Sequence, residues 1–158
     1  MAAAFDWTRP GYELVNVKLE WNVQTGDGSG QRFESPVFSP QETPNSKWQL
    51  QLYDGRNSLG IITNHFNSTG ERANFVEPVL VKLSILNNRR KKVFQLMVSS
   101  APTTYYVQFN FSKEDLIKSN SQQSDGSLTF YCKILTHVKR VAPADPRPVG
   151  VAINSPKI

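Results

Sequence analysis

The chain is poor in the residues that build metal and redox sites. Its 158 residues include one cysteine, Cys132, and two histidines, His65 and His137. A single cysteine excludes an intrachain disulfide, and neither histidine lies in a spaced metal-binding motif such as His-x-x-x-His. Cys132 occupies an alternating apolar run, which predicts a buried thiol rather than a reactive one. No pattern sets a nucleophile beside a base. We therefore expect neither an enzyme nor a cofactor.

Long apolar runs are also missing. No stretch approaches the roughly 20 apolar residues needed to cross a bilayer. The first six residues have neither the basic region nor the apolar core of a signal peptide. We therefore expect a nuclear or cytoplasmic protein with no membrane partner. A glycine-rich segment, 25–30, predicts a flexible loop rather than a phosphate-binding one, because no Lys-Ser/Thr pair follows it.

Acidic residues are outnumbered by basic ones. Lysine and arginine total 18 against 13 aspartates and glutamates, which gives a net charge of +5. Most of the basic residues are scattered singly on the polar side of predicted strands. The one run, Arg89 to Lys92, follows Asn87-Asn88 between two apolar segments, so we predict an exposed hairpin tip. Nuclear import or an acidic partner stays open for this run, while nucleic-acid binding rests on charge alone and is the least favoured function.

Alternation of apolar and polar residues is the dominant pattern. It is cleanest between Glu13 and Val23, where every second residue is apolar. Ser112 followed by Asp115 predicts the N-cap of a single short helix. The alternating segments, which include a proline-interrupted edge strand at Phe33 to Phe38, are Glu13 to Val23, Phe33 to Phe38, Lys47 to Tyr53, Ser58 to Phe66, Val76 to Leu86, Lys91 to Val98, Tyr105 to Phe111 and Leu128 to Ile134.

These elements predict an all-β fold, an antiparallel β-sandwich of seven to eight strands with one short helix. Residues 12–139 form the predicted sandwich. Residues 1–11 are a lead-in without periodicity, part of which we expect to be disordered, and residues 140–158 read as a proline-rich tail or linker.

Several motifs in this order resemble one β-sandwich family. The sequence carries Trp21 before Asn22-Val23, the Phe33 to Phe38 segment, Lys47 to Gly55, Ser84-Ile85-Leu86-Asn87, and the strand from Leu128 to Ile134. Their order and spacing resemble the MATH domain, also called the TRAF homology domain, and are most similar to the versions in speckle-type POZ proteins. The resemblance covers the chain from about Glu13 to Lys139.

The resemblance implies a protein-interaction domain that binds extended Ser/Thr-rich segments of substrate proteins. It implies the substrate-recognition module of a cullin-3 ubiquitin ligase adaptor, with the ligase contacted only through a BTB domain, which these 158 residues do not contain. A MATH-only competitor and a TRAF-type scaffold or signalling adaptor are the alternatives, although no coiled-coil heptads precede Tyr12. The isolated domain is expected to be a monomer.

The resemblance also implies where the peptide would bind. The family's Trp-Gly-Phe motif is replaced here by the segment 103–109, whose aromatic residues are the candidates for the groove floor. Two further family aromatics fall at Val81 and near Ser58, and the family groove also carries lysines. Packing in the core stays an alternative for each of the aromatic candidates. The candidate peptide-binding residues are Tyr105, Tyr106, Phe109, Val81, Lys82 and Ser58.

Overall fold

The fold is two antiparallel four-stranded sheets packed face to face, and it confirms the predicted fold class. The computed structural model describes residues 5–24, 30–41, 43, 46–100, 104–119, 121–123 and 125–139. The glycine-rich segment 25–29, residues 1–4 of the lead-in and the tail 140–158 lie outside the described residues. Within the described part, no helix is long and apolar enough to cross a membrane.

Eight strands and one short helix make up the described elements. In chain order they are β1 (Tyr12–Val23), β2 (Gln31–Glu34), β3 (Lys47–Asp54), β4 (Ser58–Phe66), β5 (Val79–Leu86), β6 (Lys92–Ser100), β7 (Tyr106–Ser112), α1 (Lys113–Lys118) and β8 (Leu128–Lys139). Sheet A has the strand order β1-β8-β5-β6, and sheet B has the order β2-β3-β4-β7.

The inward side chains of both sheets form a single apolar core. Leu50 and Ile61 of sheet B and Leu83 and Phe130 of sheet A are completely buried in one cluster. The alternation seen in the sequence accounts for this cluster, because successive residues of a strand point to opposite faces. Cys132 lies in the same cluster and is buried, as predicted.

Local signals set several of the connections. Asn87 begins the turn between β5 and β6, and its side-chain oxygen accepts hydrogen bonds from the amides of Arg89 and Lys91 at 2.9 and 3.0 Å. The basic run is therefore a hairpin tip, as predicted. Ser112 is the N-cap of α1, and its hydroxyl accepts a bond from the Asp115 amide at 3.4 Å.

The second predicted strand is shorter than expected. β2 ends at Glu34. Beyond it the Ser35 amide still bonds to the Leu50 carbonyl, and Phe38 forms an isolated bridge to Trp48. Pro36 has no amide hydrogen to donate, which explains why regular pairing stops before it.

Candidate peptide-binding groove

Within the described residues, the edge of β7 that faces away from β4 is open. Among the described strands, β7 pairs only with β4, as the last strand of sheet B. The His65 amide bonds to the Tyr105 carbonyl, and the Lys113 amide bonds to the Asn57 carbonyl, both at 2.9 Å. The direction of the backbone N–H and C=O groups alternates from one residue of a strand to the next. These two bonds therefore show that residues 107, 109 and 111 direct those groups at β4. The backbone N–H and C=O groups of Gln108 and Asn110 consequently point to the open edge.

The open edge carries none of the usual protection against strand pairing. The sequence of β7, Tyr-Val-Gln-Phe-Asn-Phe-Ser, contains no charged residue and no proline. On the opposite side of the sandwich the terminal strands are different: β1 carries one lysine and two glutamates, and β2 is four residues long with Arg32 and Glu34. Proteins blunt edges with charge, proline or short length. Among the four terminal strands, β7 is the one without a charged residue, since β6 begins with Lys92, and its edge is suited to receive another extended chain.

An apolar flank lies beside this edge. β6 is the last strand of sheet A and comes next to β7 across the sandwich, without pairing with it. Phe94, Leu96 and Val98 pack against the core but are only partly buried. Phe94 contacts Phe111 of β7 edge to face, with ring centroids 5.8 Å apart. We define the β6/β7 groove as Phe94, Leu96 and Val98 together with the open edge of β7.

Two of the predicted residues lie at the end of this groove. Tyr105 and Tyr106 are adjacent at the start of β7, with ring centroids 5.3 Å apart. Tyr106 is 43% exposed on the outer face of sheet B. Tyr105 is half-buried beneath the guanidinium of Arg72, 5.6 Å from the ring centre. Tyr106 is therefore accessible to a ligand that runs along β7, whereas Tyr105 is partly covered.

Two other predicted residues require correction. Val81 is fully buried and Phe109 is 4% exposed, and both belong to the core cluster. Each lies at an inward position of its strand, so neither side chain reaches the surface to contact a peptide. The prediction that Val81 and Phe109 line the groove is therefore wrong.

The structure separates the remaining two predicted residues from the tyrosines. Ser58 is exposed at the far end of β4, paired with Ser112, whereas Tyr106 is paired with Asn64. Six residues of strand, or about 20 Å, separate these positions. Lys82 lies on the outer face of sheet A, opposite Lys133. The six predicted residues therefore do not form one site.

The sequence by itself does not reveal the β6 side of the groove. Phe94, Leu96 and Val98 were predicted only as the partner strand of a hairpin. Their alternation matches that of any core-facing strand, so it does not indicate that β6 ends its sheet. The missing charge in β7 was a visible signal, but it acquires meaning only when the strand order is known.

Two buried polar residues, Cys132 and His65, have structural surroundings. Burial raises the pKa of the Cys132 thiol to about 12, so the nucleophilic thiolate is not formed near neutral pH. Both ring nitrogens of His65 make hydrogen bonds, to Ala73 and Ser46. Among the described residues, no three His, Cys, Asp or Glu side chains are grouped as a metal site would require.

Comparison with known proteins adds no assignment. No protein-family model matches the chain, and no curated protein matches it. The function is therefore inferred from the geometry of the β6/β7 groove and from the resemblance in its motifs.

Proposed function

We propose that this protein is a non-catalytic peptide-binding domain that captures extended segments of other proteins by adding them as a strand to β7. The observation that carries the proposal is the uncharged, open edge of β7 beside the partly buried side chains of β6. In this mode of recognition the backbone of the incoming peptide supplies affinity and its alternate side chains supply specificity.

The geometry defines what such a peptide would meet. Its backbone would bond to the outward N–H and C=O groups of Gln108 and Asn110. One set of its side chains would point into the seam beside Phe94, Leu96 and Val98, which favours small or apolar residues. The other set would lie over Tyr106, beside the exposed amides of Gln108 and Asn110. These amides match short hydroxyl side chains, so the Ser/Thr-rich class expected from the family resemblance is compatible with this face.

The cellular role follows from the same resemblance. We infer that the domain delivers the bound protein to a cullin-3 ubiquitin ligase, as the MATH domain of speckle-type POZ proteins is expected to do. The domain would supply recognition only, with the ligase contacted through a separate BTB domain. A BTB-free form would compete for the same substrates.

Replacement of Gln108 by proline tests the strand addition directly. The Gln108 amide hydrogen points to the open edge, so Gln108→Pro removes a donor for the ligand without removing a bond to β4. We expect an array of Ser/Thr-rich peptides to yield hits for the wild type, each bound at least about tenfold more weakly by this variant. A thermal melt close to that of the wild type would establish that the variant is folded.

The matched control is Gln108→Ala, which removes the same side chain but keeps the amide hydrogen. We expect it to bind every hit within about threefold of the wild type, since the side chain is exposed and its bond to Asn110 is long, at 3.4 Å. Equal binding by the proline variant and the wild type would show that the peptide does not pair with β7. Equal loss in both variants would show that the side chain, not the backbone, is recognised.

A further inference from the structure

The register of sheet A places three lysines in one line. Lys18 of β1 pairs with Lys133 of β8, and Lys133 pairs on its other side with Lys82 of β5. All three lie on the outer face, and because adjacent strands are about 4.8 Å apart, the line spans about 10 Å. Lys92 of β6 joins them, with its ammonium 4.9 Å from the ring centre of Tyr131. We define the lysine face as Lys18, Lys82, Lys92 and Lys133 with Tyr131.

In the described part of the chain, positive charge exceeds negative charge on the lysine face, where Glu20 lies opposite Tyr131. Among the described residues, none of the four lysines forms an ion pair. Glu20, in the next row of the same face, is paired with Arg90 of the hairpin tip at 3.0 Å. Like charges directly opposite each other destabilise a sheet. The pKa of Lys133 is lowered, first by burial and then by the charges of Lys18, Lys82 and Lys92.

The lysine face is concave and bears aromatic rings. It borders a groove of about 280 Å³ whose lining includes Lys82, Lys92, Lys133, Tyr131 and Gln95. Trp7 of the lead-in, 49% exposed, lies at its margin with its ring 5.3 Å from the Lys82 ammonium. A ligand with a row of negative charges and flat apolar groups could therefore contact lysines and aromatic rings on the same surface.

We propose that the lysine face binds single-stranded nucleic acid, with phosphates along the lysine row and bases stacked on Tyr131 and Trp7. Grooves of this kind combine positive charge that follows the backbone with aromatic side chains that stack the bases. The proposal does not rest on strand addition to β7, although Leu96 lines both grooves. It revises the expectation drawn from charge alone, in which the lysines were scattered.

A phosphorylated peptide fits the lysine face less well. Phosphate groups on side chains are usually held by the two-pronged guanidinium of arginine, whereas the cations here are lysines, which act as point charges. Arg90 of the hairpin tip already forms an ion pair with Glu20. A line of lysines beside two aromatic rings matches a repeating phosphate backbone with bases better than it matches one or two phosphates.

The test uses fluorescence anisotropy with fluorescein-labelled dT20 and U20, which also distinguishes DNA from RNA. We expect saturable binding by the wild type to at least one of them. The variant K18Q/K82Q/K133Q should bind at least about tenfold more weakly, and its plot of log affinity against log salt should be shallower by about 2. The slope of that plot changes by about 0.7 for each phosphate contact that is lost on a single strand, and three contacts are removed here.

The matched control removes the same charge from other surfaces. R32Q/R56Q/K118Q lowers the net charge equally, from +5 to +2, and we expect its affinity to stay within about threefold of the wild type. No saturable binding to either oligonucleotide overturns the proposal. Equal weakening by the control does the same, since binding would then follow net charge. A doubly phosphorylated peptide that displaces the oligonucleotide at a lower concentration overturns it in favour of phosphopeptide recognition.

Stacking is tested separately with Tyr131→Leu. Loss of one stacked base should weaken binding of the better oligonucleotide by about tenfold. Binding of an abasic oligonucleotide of the same length should be unchanged, because it retains the phosphates but offers no base. Equal effects on the two ligands would show that Tyr131 supports the fold and not the bases.

Discussion

The best-defined polar side chain in the interior is His65. Its Nδ1 donates to the Ala73 carbonyl at 2.7 Å, since that oxygen can only accept. In the neutral ring Nε2 then accepts from the Ser46 hydroxyl, also at 2.7 Å. The ring packs 4.7 Å from Trp48 between centroids. His65 therefore ties β4 to the segments on both sides of it, and its role is structural.

The environment of His65 predicts a pH dependence of stability. Burial lowers its pKa below the ordinary value of 6.5, although the bond to Ala73 opposes this. As the pH falls below 6.5, the unfolded chain takes up a proton that the folded protein does not, so the free energy of unfolding decreases. The stability is lost as the pH falls through the lowered pKa.

Urea denaturation of wild type and His65→Gln between pH 8 and pH 5 measures this effect. We expect the free energy of unfolding to fall more steeply with decreasing pH in the wild type than in the variant, because glutamine has no proton to bind. The comparison cancels contributions from groups common to both proteins. Parallel curves would show that His65 titrates alike in the folded and unfolded states.

At the scale of single strands, the lysine row has a consequence for stability. Lys133 faces a lysine on each side, in β1 and in β5. We predict that Lys133→Thr stabilises the domain by about 0.5 kcal/mol at low salt, because it removes two like-charge pairs. The gain should shrink near 1 M salt, where the screening length is only about 3 Å.

Lys47→Thr is the control for strand propensity, since threonine itself favours strands. Lys47 lies in β3 opposite Phe66, with no lysine partner in the register. Urea denaturation should show a salt-dependent gain for Lys133→Thr and none for Lys47→Thr. Equal gains in the two variants would mean that strand propensity, and not charge repulsion, explains the result.

The sequence predicts the individual strands and the helix well, but it does not predict which strands lie next to each other in a sheet. The inward face of β8, the cap at Ser112 and the turn at Asn87 follow from local chemistry that each segment carries by itself. The line formed by Lys18, Lys82 and Lys133 depends on the strand order β1-β8-β5, which joins segments more than 50 residues apart. No local pattern contains that order, so the three lysines appeared scattered.

The candidate site was less predictable for a second reason. Val81 and Phe109 are groove candidates only through their alignment with the groove of a resembling family, whereas alternation in their own strands places both on the apolar side. The local pattern was the better guide, because an inward position in a sandwich is buried whatever the family residue does. Tyr106, on the polar side of β7, is exposed, as the same reasoning requires.

For the molecule as a whole, the shared core implies one cooperative folding unit. Side chains from both sheets belong to a single cluster, so neither sheet keeps its apolar face covered if the other unfolds. We predict that native-state hydrogen exchange gives one opening free energy for the amides of Leu50, Ile61, Leu83 and Phe130, equal to the free energy of global unfolding. A lower value for the two amides of sheet B would mean that the sheets unfold separately.

The same experiment contains an internal control within β7. The amides of Val107 and Phe109 bond to β4 and should exchange slowly, whereas those of Gln108 and Asn110 point to the open edge and should exchange rapidly. A saturating peptide from the array should slow Gln108 and Asn110 and leave the lysine face unaffected. Slow exchange at Gln108 without peptide would show that the edge is already covered, which would leave no free edge for strand addition.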